Sequence, residues 1–465
     1  MGKYLQTIVD EVVDADASRI VKIFGGIWAA YLVALVVYRL YFSPLSSFPG
    51  PKLAACPIVR INPFELHVDD TSYWEELYTV RDYERYKWII GRFGANTNTS
   101  TTLRCDEHAM RRVPLNPLFS KRSIVEFEPV ILEKVDLLAK RIATFEKTGE
   151  AVTLNDAFSA FSGDVITTYC FGDSFDHLKS PGFAENYHAA FEGVRKLAHL
   201  GLQFPPVFLQ LLRQTSTIMK SENKALIGHQ TVLQQLLASK LPPSEKTADR
   251  LASEIRQLIG AGVETVAWAL TTTMFHILDK PEILRKLRAE LETAIPDPTT
   301  LVKVSQLEQL PYLTAVVKEG LRMAVGVSVR LPRVSPNRAM KYKQWEIPAG
   351  TPVSMTTMDA LRDEHIYPNS HLFIPERWLD NSSSEKGGAN PRRGFVPFGK
   401  GPRMCLGINL AYPELYASLA VLVRCFTFEL SDTDYTDVQI KHDFMVPQPK
   451  LSSKGVRVKV KSALI

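Results

Sequence analysis

A ten-residue stretch near the C-terminus carries residue types that suit a metal cofactor. It runs from Phe398 to Gly407 and contains Cys405. Three glycines and a proline hold its backbone in an irregular loop. Because an apolar helical pattern begins directly after the cysteine, backbone N–H groups and the helix dipole favour its thiolate. A thiolate suits an iron centre, and Arg403 could hold an anionic group of the same cofactor. A lone cysteine after such a turn is more often buried and inert, so the stretch alone leaves both interpretations open.

A second stretch places an acid beside an alcohol inside a long helical pattern. The pattern runs from Leu251 to Leu278, and its middle reads Gly-Ala-Gly-Val-Glu-Thr at 260–265. Two glycines inside a helix cost about 0.5–1 kcal/mol each relative to alanine, so they need a reason. A packing notch with a solvated glutamate is one explanation. A nucleotide loop is a weaker one, because no strand precedes the glycines and the third glycine is missing.

Four motifs occur in order along the chain: Ala-Gly-x-Glu-Thr, Glu-x-x-Arg, Pro-Glu-Arg-Trp and Phe-x-x-Gly-x-Arg-x-Cys-x-Gly. The last is the heme-binding signature of the cytochrome P-450 family, which this sequence closely resembles. The linking segments resemble fungal secondary-metabolism members of the trichodiene oxygenase type. The resemblance implies a mainly α fold with a smaller β part, the cytochrome P-450 fold, with an N-terminal transmembrane helix.

The resemblance also implies a cofactor and its contacts. It implies heme b with its iron ligated by Cys405, O2 as co-substrate, and NADPH electrons delivered through a reductase. In the family, Glu264 and Thr265 are the acid–alcohol pair that relays protons. The small residues beside that pair leave room for dioxygen. The residues implied to contact the heme are His108, Arg112, Ala261, Arg333, Phe398, Gly399, Arg403 and Gly407.

One departure from the family pattern and one ion-pair prediction accompany the resemblance. His108 stands where the family usually has tryptophan, and with Arg112 it lies four apart on one helix face. The neighbouring Arg111 fits a solvated basic helix as well as a functional one. Glu319 and Arg322 are expected to pair with the arginine of Pro-Glu-Arg-Trp in a structural ionic triad beneath the cysteine loop.

These residues favour one function over two rivals. The favoured one is a heme-thiolate monooxygenase that inserts oxygen from O2 into an apolar secondary-metabolite intermediate of terpenoid, polyketide or alkaloid class. One rival uses the same cysteine for desaturation, ring rearrangement or dehydration. The other is a membrane-tethered binding protein with a degenerate heme pocket. Glu264 and Thr265 favour the monooxygenase, while the intact Cys405, Glu319 and Arg322 argue against a degenerate pocket.

Composition narrows the class of protein. The 465 residues are 45% hydrophobic and 23% charged with a net charge of +5, which is typical of a globular protein. The charge is too diffuse to indicate nucleic-acid binding. The five cysteines are scattered without a Cys-x-x-Cys pair, so the body is expected to face a reducing compartment.

The N-terminus predicts a membrane anchor. Residues 23–42 are nearly all apolar and close to the ~20 residues that cross a bilayer. We expect a lumenal segment at 1–22, the anchor at 23–42, a Pro-rich hinge at 43–52 and the catalytic domain at 53–465. Acidic residues before the span and basic ones after it place the body on the cytosolic side, as a single-pass protein of the endoplasmic reticulum.

The remaining expectations concern partners and the substrate pocket. The partners are NADPH-cytochrome P-450 reductase, with cytochrome b5 as a further candidate, an apolar small molecule and the membrane. A basic docking face toward the reductase is predicted at Lys121, Arg122, Arg392, Arg393 and Lys400, although solvated side chains explain these almost as well. The resemblance implies that 195–220 roofs the substrate channel, that 327–331 lines the pocket and that the tip of a strand pair near 441–447 enters it.

Two local features complete the sequence. Pro413 falls inside the helical pattern after the cysteine, where it is expected to kink or break the helix at a cost of ~3 kcal/mol or more. Asn98 and Asn381 match the glycosylation sequon, and on a cytosolic body both would stay bare.

Overall fold

The computed structural model describes residues 22–49, 56–88, 98–184, 186–188, 231–379 and 391–465. The predicted channel roof at 195–220 and the sequon at Asn381 lie outside these residues.

Helices make up most of the described chain, as predicted. In chain order they are α1 Lys22–Phe42, α2 Trp74–Tyr78, α3 Cys105–Arg112, α4 Lys121–Thr148, α5 Leu154–Phe171, α6 Val232–Ala238, α7 Ala248–Asp279, α8 Pro281–Ala294, α9 Val304–Leu307, α10 Pro311–Ala324, α11 Thr357–Leu361 and α12 Ile408–Cys425.

The smaller β part forms four separate sheets among the described residues. The largest has five strands in the order β1-β2-β8-β5-β3, of which only β2 and β8 run parallel. The others are the three-stranded sheet β4-β12-β9 and the hairpins β6-β7 and β10-β11. The strands are β1 Ile58–Asn62, β2 Glu65–Val68, β3 Glu84–Arg85, β4 Ala151–Thr153, β5 Arg333–Val334, β6 Met340–Tyr342, β7 Trp345–Ile347, β8 Pro352–Ser354, β9 Phe426–Leu430, β10 His442–Phe444, β11 Val446–Gln448 and β12 Arg457–Ala463.

The long helix α7 organises the main core. Its N-terminus is capped by Thr247, whose side chain accepts a hydrogen bond from the backbone of Arg250, and it ends before Pro281. The stretch from Val266 to Ile277 is buried on every face, because α5, α10 and α12 all pack against it. The helix that carries the acid–alcohol motif is therefore held rigidly at the centre of the fold.

The N-terminal helix α1 has the properties of a membrane anchor. Within its 21 residues, an 18-residue window has a mean hydropathy of 1.8, and none of that window is buried. Helix α7 is also long and apolar enough to cross a membrane, but 72% of its apolar window is buried, so it is a core helix.

The chain directly after α1 packs onto the catalytic body. Leu45 and Phe48 are buried in the core cluster beneath the five-stranded sheet, and Phe48 stacks on Trp345 with ring centroids 4.8 Å apart. The backbone N–H of Arg60 donates to the carbonyl of Pro49 at 2.7 Å. Part of the segment predicted as a hinge is thus attached to the body by side chains that solvent does not reach.

The structure tests two local predictions, those for Pro413 and Asn98. Pro413 does not break the helix, because α12 continues through it from Ile408 to Cys425. Asn98 is buried, and its side-chain oxygen accepts hydrogen bonds from the backbone and hydroxyl of Thr101. An asparagine held in this way is not presented for glycosylation.

Candidate active site

The cysteine loop is a tight turn that delivers Cys405 to the start of α12. Its backbone N–H donates to the carbonyl of Phe398 at 2.9 Å, which closes the loop on itself. Gly399 and Gly401 have φ of 67° and 74°, in the left-handed region that favours glycine. The Phe398 ring packs on Tyr412 of α12 with centroids 5.4 Å apart. Loop and helix therefore form one rigid support for the thiol.

Gly401 is also required by a close approach of two backbones. A Cβ at this position would lie 2.3 Å from the carbonyl oxygen of Tyr78 and 2.7 Å from the Cα of Thr79. The loop is thus pressed against the end of α2, a contact between distant segments that residue spacing does not reveal.

The electrostatics of Cys405 correct the sequence argument. Burial raises the pKa of its thiol, while the backbone N–H of Gly407 and the charge of Arg112 act in the lowering direction. The predicted local donors are present, but desolvation outweighs them. The residue is nevertheless exposed on one side. Such a thiol is held as thiolate once a metal cation binds it, because a coordinating thiol is deprotonated outright.

Four arginines converge beside this loop. Burial lowers the pKa of all four guanidiniums, those of Arg85, Arg112, Arg333 and Arg403. The charges of neighbouring arginines lower the pKa of Arg85 and Arg403 further. The pKa of Arg85 falls well below its usual value, and that of Arg403 falls to about 9. In the described ranges, no carboxylate forms an ion pair with any of them; their hydrogen bonds go to carbonyl oxygens. Glu84 is near enough for its charge to act on Arg403 without a direct ion pair. A cation cluster with no carboxylate in direct contact suits a dianionic ligand, and the two propionates of heme fit it.

Arg85 is the member of this cluster that the sequence analysis missed. It is the second residue of the two-residue strand β3 and pairs directly with Arg333 of β5. Its Nε is buried and has no hydrogen-bond partner among the described residues. A two-residue strand has no periodicity to detect, so only the strand pairing reveals it.

His108 lies within the same cluster as a neutral side chain. Burial lowers its pKa to about 3, and the charges of Arg403 and Arg112 push in the same direction. The structure places His108 close enough to Arg112 for its pKa to respond to that charge, and their contact with one cofactor group stays a prediction. A neutral imidazole contributes a single N–H donor there, not a charge.

Arg112 and Arg403 connect the cluster to the backbone of the cysteine loop. Arg112 Nη1 donates to the carbonyl of Met404 at 2.8 Å, one residue before the cysteine. Arg403 Nη2 donates to the carbonyl of Leu103 at 2.8 Å, just before α3. Thiol and cation cluster are thereby fixed relative to each other.

Arg111 corrects the expectation of a solvated basic helix. Its side chain is buried and donates to both carboxylate oxygens of Glu245 at 2.7 and 2.8 Å. It also pairs with Glu107 at 2.8 Å and donates to Thr102 Oγ1. Arg111 is a structural residue that ties α3 to the turn before α7.

In α7, the small residues serve two purposes. Ala261 is exposed although α7 is largely buried, which leaves one side of the helix accessible to a ligand. A Cβ on Gly262 would lie 3.0 Å from Ile166 Cγ1 of α5, so this glycine permits close helix packing. The packing-notch explanation holds for Gly262. The Thr265 hydroxyl donates to the carbonyl of Ala261 at 2.7 Å, and its oxygen can still accept a hydrogen bond.

Glu264 of α7 belongs to a cluster of polar side chains that includes Asp156 of α5. The side chain is buried, and its Oε2 lies 3.3 Å from Nδ1 of the part-exposed His188. Asp156 is close enough to both that its pKa responds to their charges; burial raises that pKa most. Asn186 donates to Asp156 at 3.2 Å. Glu264 is therefore connected toward the surface by titratable neighbours.

The predicted ionic triad is present. Glu319 accepts from Arg322 at 2.8 Å and from Arg377 at 3.1 Å, and its second oxygen accepts from the indole N–H of Trp378 at 2.9 Å. Arg322 also donates to the carbonyls of Leu361 and of two further residues. Every member of this buried group is satisfied, as a structural role requires.

The strand pair near the C-terminus reaches the predicted pocket segment. Met445 forms its tip, in the left-handed region with φ of 80°. The carbonyl of Met445 accepts from the backbone N–H of Ser328 at 2.9 Å, and the Ser328 hydroxyl donates to Asp443 at 2.7 Å. The tip and the segment 327–331 are thus held together.

The predicted basic docking face is partly neutralised by this chain's own acids. Lys121 pairs with Glu308 at 3.1 Å, Arg122 with the Glu126 carboxylate at 3.2 Å, and Lys400 with an oxygen of Glu75 at 2.6 Å. Lys121 and Arg122 remain strongly exposed, and exposed pairs of this kind are weak.

Comparison with known proteins agrees with this geometry. The family model for cytochrome P450 matches residues 91–454. Cytochrome P450 monooxygenase sdnE of Sordaria araneosa is 53% identical, over 96% of this chain and 99% of the relative. Tryptophan 6-hydroxylase fscE of Fusarium equiseti is 39% identical, over 92% and 94%. N-acetyltryptophan 6-hydroxylase ivoC of Emericella nidulans is 36% identical, over 93% and 97%.

Proposed function

Since the chain belongs to the cytochrome P450 family of heme-thiolate monooxygenases, which use O2 and NADPH-derived electrons, we propose that it inserts one oxygen atom into an apolar secondary-metabolite intermediate. The substrate is of terpenoid, polyketide or alkaloid class. Two relatives are named for hydroxylation of tryptophan and N-acetyltryptophan, which supports testing indole compounds as well.

The observation that carries the proposal is the joint position of the thiol and the cation cluster. Arg112 donates to the carbonyl of the residue before Cys405, so one ligand with a metal and two carboxylates can meet both groups. When bound, heme supplies the iron centre at which O2 is reduced and split. Cys405 would hold the heme iron through its sulfur. Arg85, Arg112, Arg333, Arg403 and the neutral His108 are the proposed propionate site.

The other proposed site residues shape the loop and the helix. Gly399 and the Gly407 N–H set the loop backbone around the sulfur, and Phe398 anchors the loop on α12. Ala261 leaves space beside α7 for a small molecule. These roles are supported by the backbone geometry of the loop and by the exposure of Ala261.

Glu264 and Thr265 are proposed to move protons. The Thr265 hydroxyl is oriented by its bond to the Ala261 carbonyl, and its oxygen can accept a proton-bearing group from the site. Glu264 exchanges protons with His188, which is part-exposed and therefore in contact with water. The route runs from solvent to the buried acid and then to the hydroxyl.

We further propose the cellular setting. Helix α1 anchors the protein in the endoplasmic reticulum membrane with the catalytic domain on the cytosolic side. NADPH-cytochrome P-450 reductase, with cytochrome b5 as a further candidate, docks on the basic residues Lys121, Arg122, Arg392, Arg393 and Lys400. The length and hydropathy of α1 and the exposed basic side chains support this setting.

The proposal is tested by identifying the substrate and then labelling the oxygen. Deletion of the gene in its source organism should accumulate a precursor lighter than the end product by one or more oxygen atoms. The purified enzyme with reductase, NADPH and ¹⁸O2 should convert that precursor to a product carrying one ¹⁸O. A precursor that differs only by water or hydrogen, with no label incorporated, would favour dehydration, rearrangement or desaturation instead.

A further inference from the structure

The turn at residues 98–103 contacts the cation cluster through its backbone. The carbonyl of Thr102 accepts a hydrogen bond from Nη1 of Arg403, and the carbonyl of Leu103 accepts from Nη2 of the same side chain at 2.8 Å. The backbone N–H of Arg85 also donates to the Leu103 carbonyl, at 3.0 Å. Two carbonyls of one turn thus fix one guanidinium of the cluster and the strand that carries another.

The other side of this turn is held by the buried side chain of Arg111. Its Nη1 donates to Thr102 Oγ1 at 2.8 Å, and that hydroxyl donates to the carbonyl of Asn98 at 2.8 Å. Arg111 is itself fixed, since its guanidinium donates to both carboxylate oxygens of Glu245. The hydroxyl of Thr102 therefore connects Arg111 to the residue whose carbonyl holds Arg403.

A chain of buried ion pairs ties the same turn to α7. Arg250 bonds to Glu245 at 2.8 Å and to Glu254 at 2.6 Å. Glu254 in turn accepts from the N–H and the hydroxyl of Thr99, each at 2.9 Å. With Arg111, these contacts form a closed ring. Its four charged side chains are at most 11% exposed, so water and salt screen the pairs little.

The ring leaves uncharged acceptors to meet the cation cluster. The carboxylates of Glu245 and Glu254 are bonded to arginines of the ring, and the groups that contact Arg403 from this turn are carbonyl oxygens. A carbonyl orients a guanidinium without neutralising it. Arg403 is thereby held in place while its charge stays available to an anionic ligand.

We propose that Thr102 is a positioning residue for the cofactor site. Its hydroxyl, held by Arg111, fixes the turn whose carbonyls orient Arg403 and secure the strand of Arg85. The inference rests on the proposed propionate site and adds to it a residue that acts through these two arginines. Loss of the hydroxyl frees the turn from Arg111 and so loosens both cations together.

The test compares Thr102→Val with Thr101→Val in the full-length, heme-loaded protein. Both threonines are fully buried in the same turn, but among the described residues the Thr101 hydroxyl bonds only to Asn98. The rate of heme transfer to apomyoglobin should rise at least fivefold in Thr102→Val and less than twofold in Thr101→Val. Thr102→Ser keeps the hydroxyl and should stay within twofold of the unaltered protein.

Two further measurements separate positioning from a general loss of stability. The midpoint potential of the heme iron should fall in Thr102→Val but not in Thr101→Val, because the ferric state is favoured when nearby cations are less closely held. Hydrogen exchange at the Arg85 N–H, which is bonded to Leu103, should become faster in Thr102→Val alone. Equal changes in the two valine variants overturn the inference.

The outcomes distinguish this inference from the proposed site on which it rests. Arg403→Met reports the propionate site itself: heme release at the unaltered rate in this variant overturns both. Faster release or loss of heme in Arg403→Met, with equal rates in the two valine variants, overturns only the role of Thr102.

A variant at the other end of the contact covers the case in which Thr102→Val does not fold. Arg111→Lys keeps a cation beside Glu245, but a single ammonium does not reproduce the fork that reaches both Glu245 and Thr102. Heme release should again be faster, by at least threefold, and an unchanged rate overturns the inference.

Discussion

Arg85 and Arg333 lie directly opposite each other on two antiparallel strands, and burial lowers the pKa of both guanidiniums. Like charges in this relation destabilise a strand pair unless an anion lies between them. The pair therefore suits a bound anionic ligand and lowers the stability of the protein without that ligand.

Removal of one of these arginines should have opposite effects on the two states. Arg85→Ala should weaken heme retention several-fold, because the propionate site loses a cation. The heme-free protein should gain stability, by about 0.2–1 kcal/mol, because the repulsion across the strands is relieved. Heme content of the purified protein and urea unfolding of the heme-free form measure the two effects. Arg81→Ala, in the turn before β3, should change neither; loss of stability in the heme-free Arg85→Ala protein contradicts the repulsion argument.

Replacement of the proposed ligand should change the spectrum and not only the yield. Cys405→Ala should lose the thiolate-type spectrum of the reduced carbon monoxide complex. Cys425→Ala is the control, since that buried thiol donates to the carbonyl of Pro298 at 3.2 Å and faces no proposed cofactor contact. Survival of the thiolate spectrum in Cys405→Ala means that another residue is the ligand.

The hydroxyl of Thr265 should determine how well electron use is coupled to product. Thr265→Ala should retain heme but divert reducing equivalents to hydrogen peroxide, measured as peroxide released per NADPH consumed. Thr265→Ser should restore most of the coupling. Thr273 makes the same bond to a carbonyl four residues earlier in α7, so Thr273→Ala is the matched control. Equal coupling in the Thr265 and Thr273 alanine variants counts against the proton route.

The buried carboxylate of Glu319 should be far more costly to neutralise than one on the surface. Glu319→Gln leaves Arg322 and Arg377 without their anion and should lower the free energy of unfolding by about 3–5 kcal/mol. Glu376→Gln is the control: its exposed pair with Lys286 at 2.6 Å should contribute about 0–1 kcal/mol. Urea titration at neutral pH measures both, and equal losses would refute the distinction.

His276 should make the protein sensitive to acid. It is buried and stacks on Phe373 with centroids 4.9 Å apart, and burial lowers its pKa to about 3. The unfolded chain takes up a proton near pH 6.5, so the stability is fully present above that pH and is lost as the pH falls toward 3. At pH 5 the loss is up to about 2 kcal/mol. His276→Phe keeps the stacking and should reduce the slope of the stability profile between pH 6.5 and 4, while His108, whose pKa is also about 3, keeps part of it; an unchanged slope contradicts this assignment.

The local signals in the sequence located much of the site. The glycine spacing around Cys405 predicted the loop, and the i, i+3 spacing of Glu319 and Arg322 predicted an ion pair that the structure contains. The length of the apolar pattern in α7 predicted a helix through Thr265. These features follow from short-range geometry, so the order of residues determines them.

What depends on neighbours distant in sequence was decided by the tertiary structure alone. Arg85 joins the cation cluster only through pairing of β3 with β5, and Arg111 is buried because Glu245 packs over it. The pKa of Cys405 rises because burial outweighs the local donors that the sequence revealed. Desolvation and contacts between distant segments have no signature in spacing, which is why the place of Arg85 in the cluster and the charge state of Cys405 could not be predicted from the sequence.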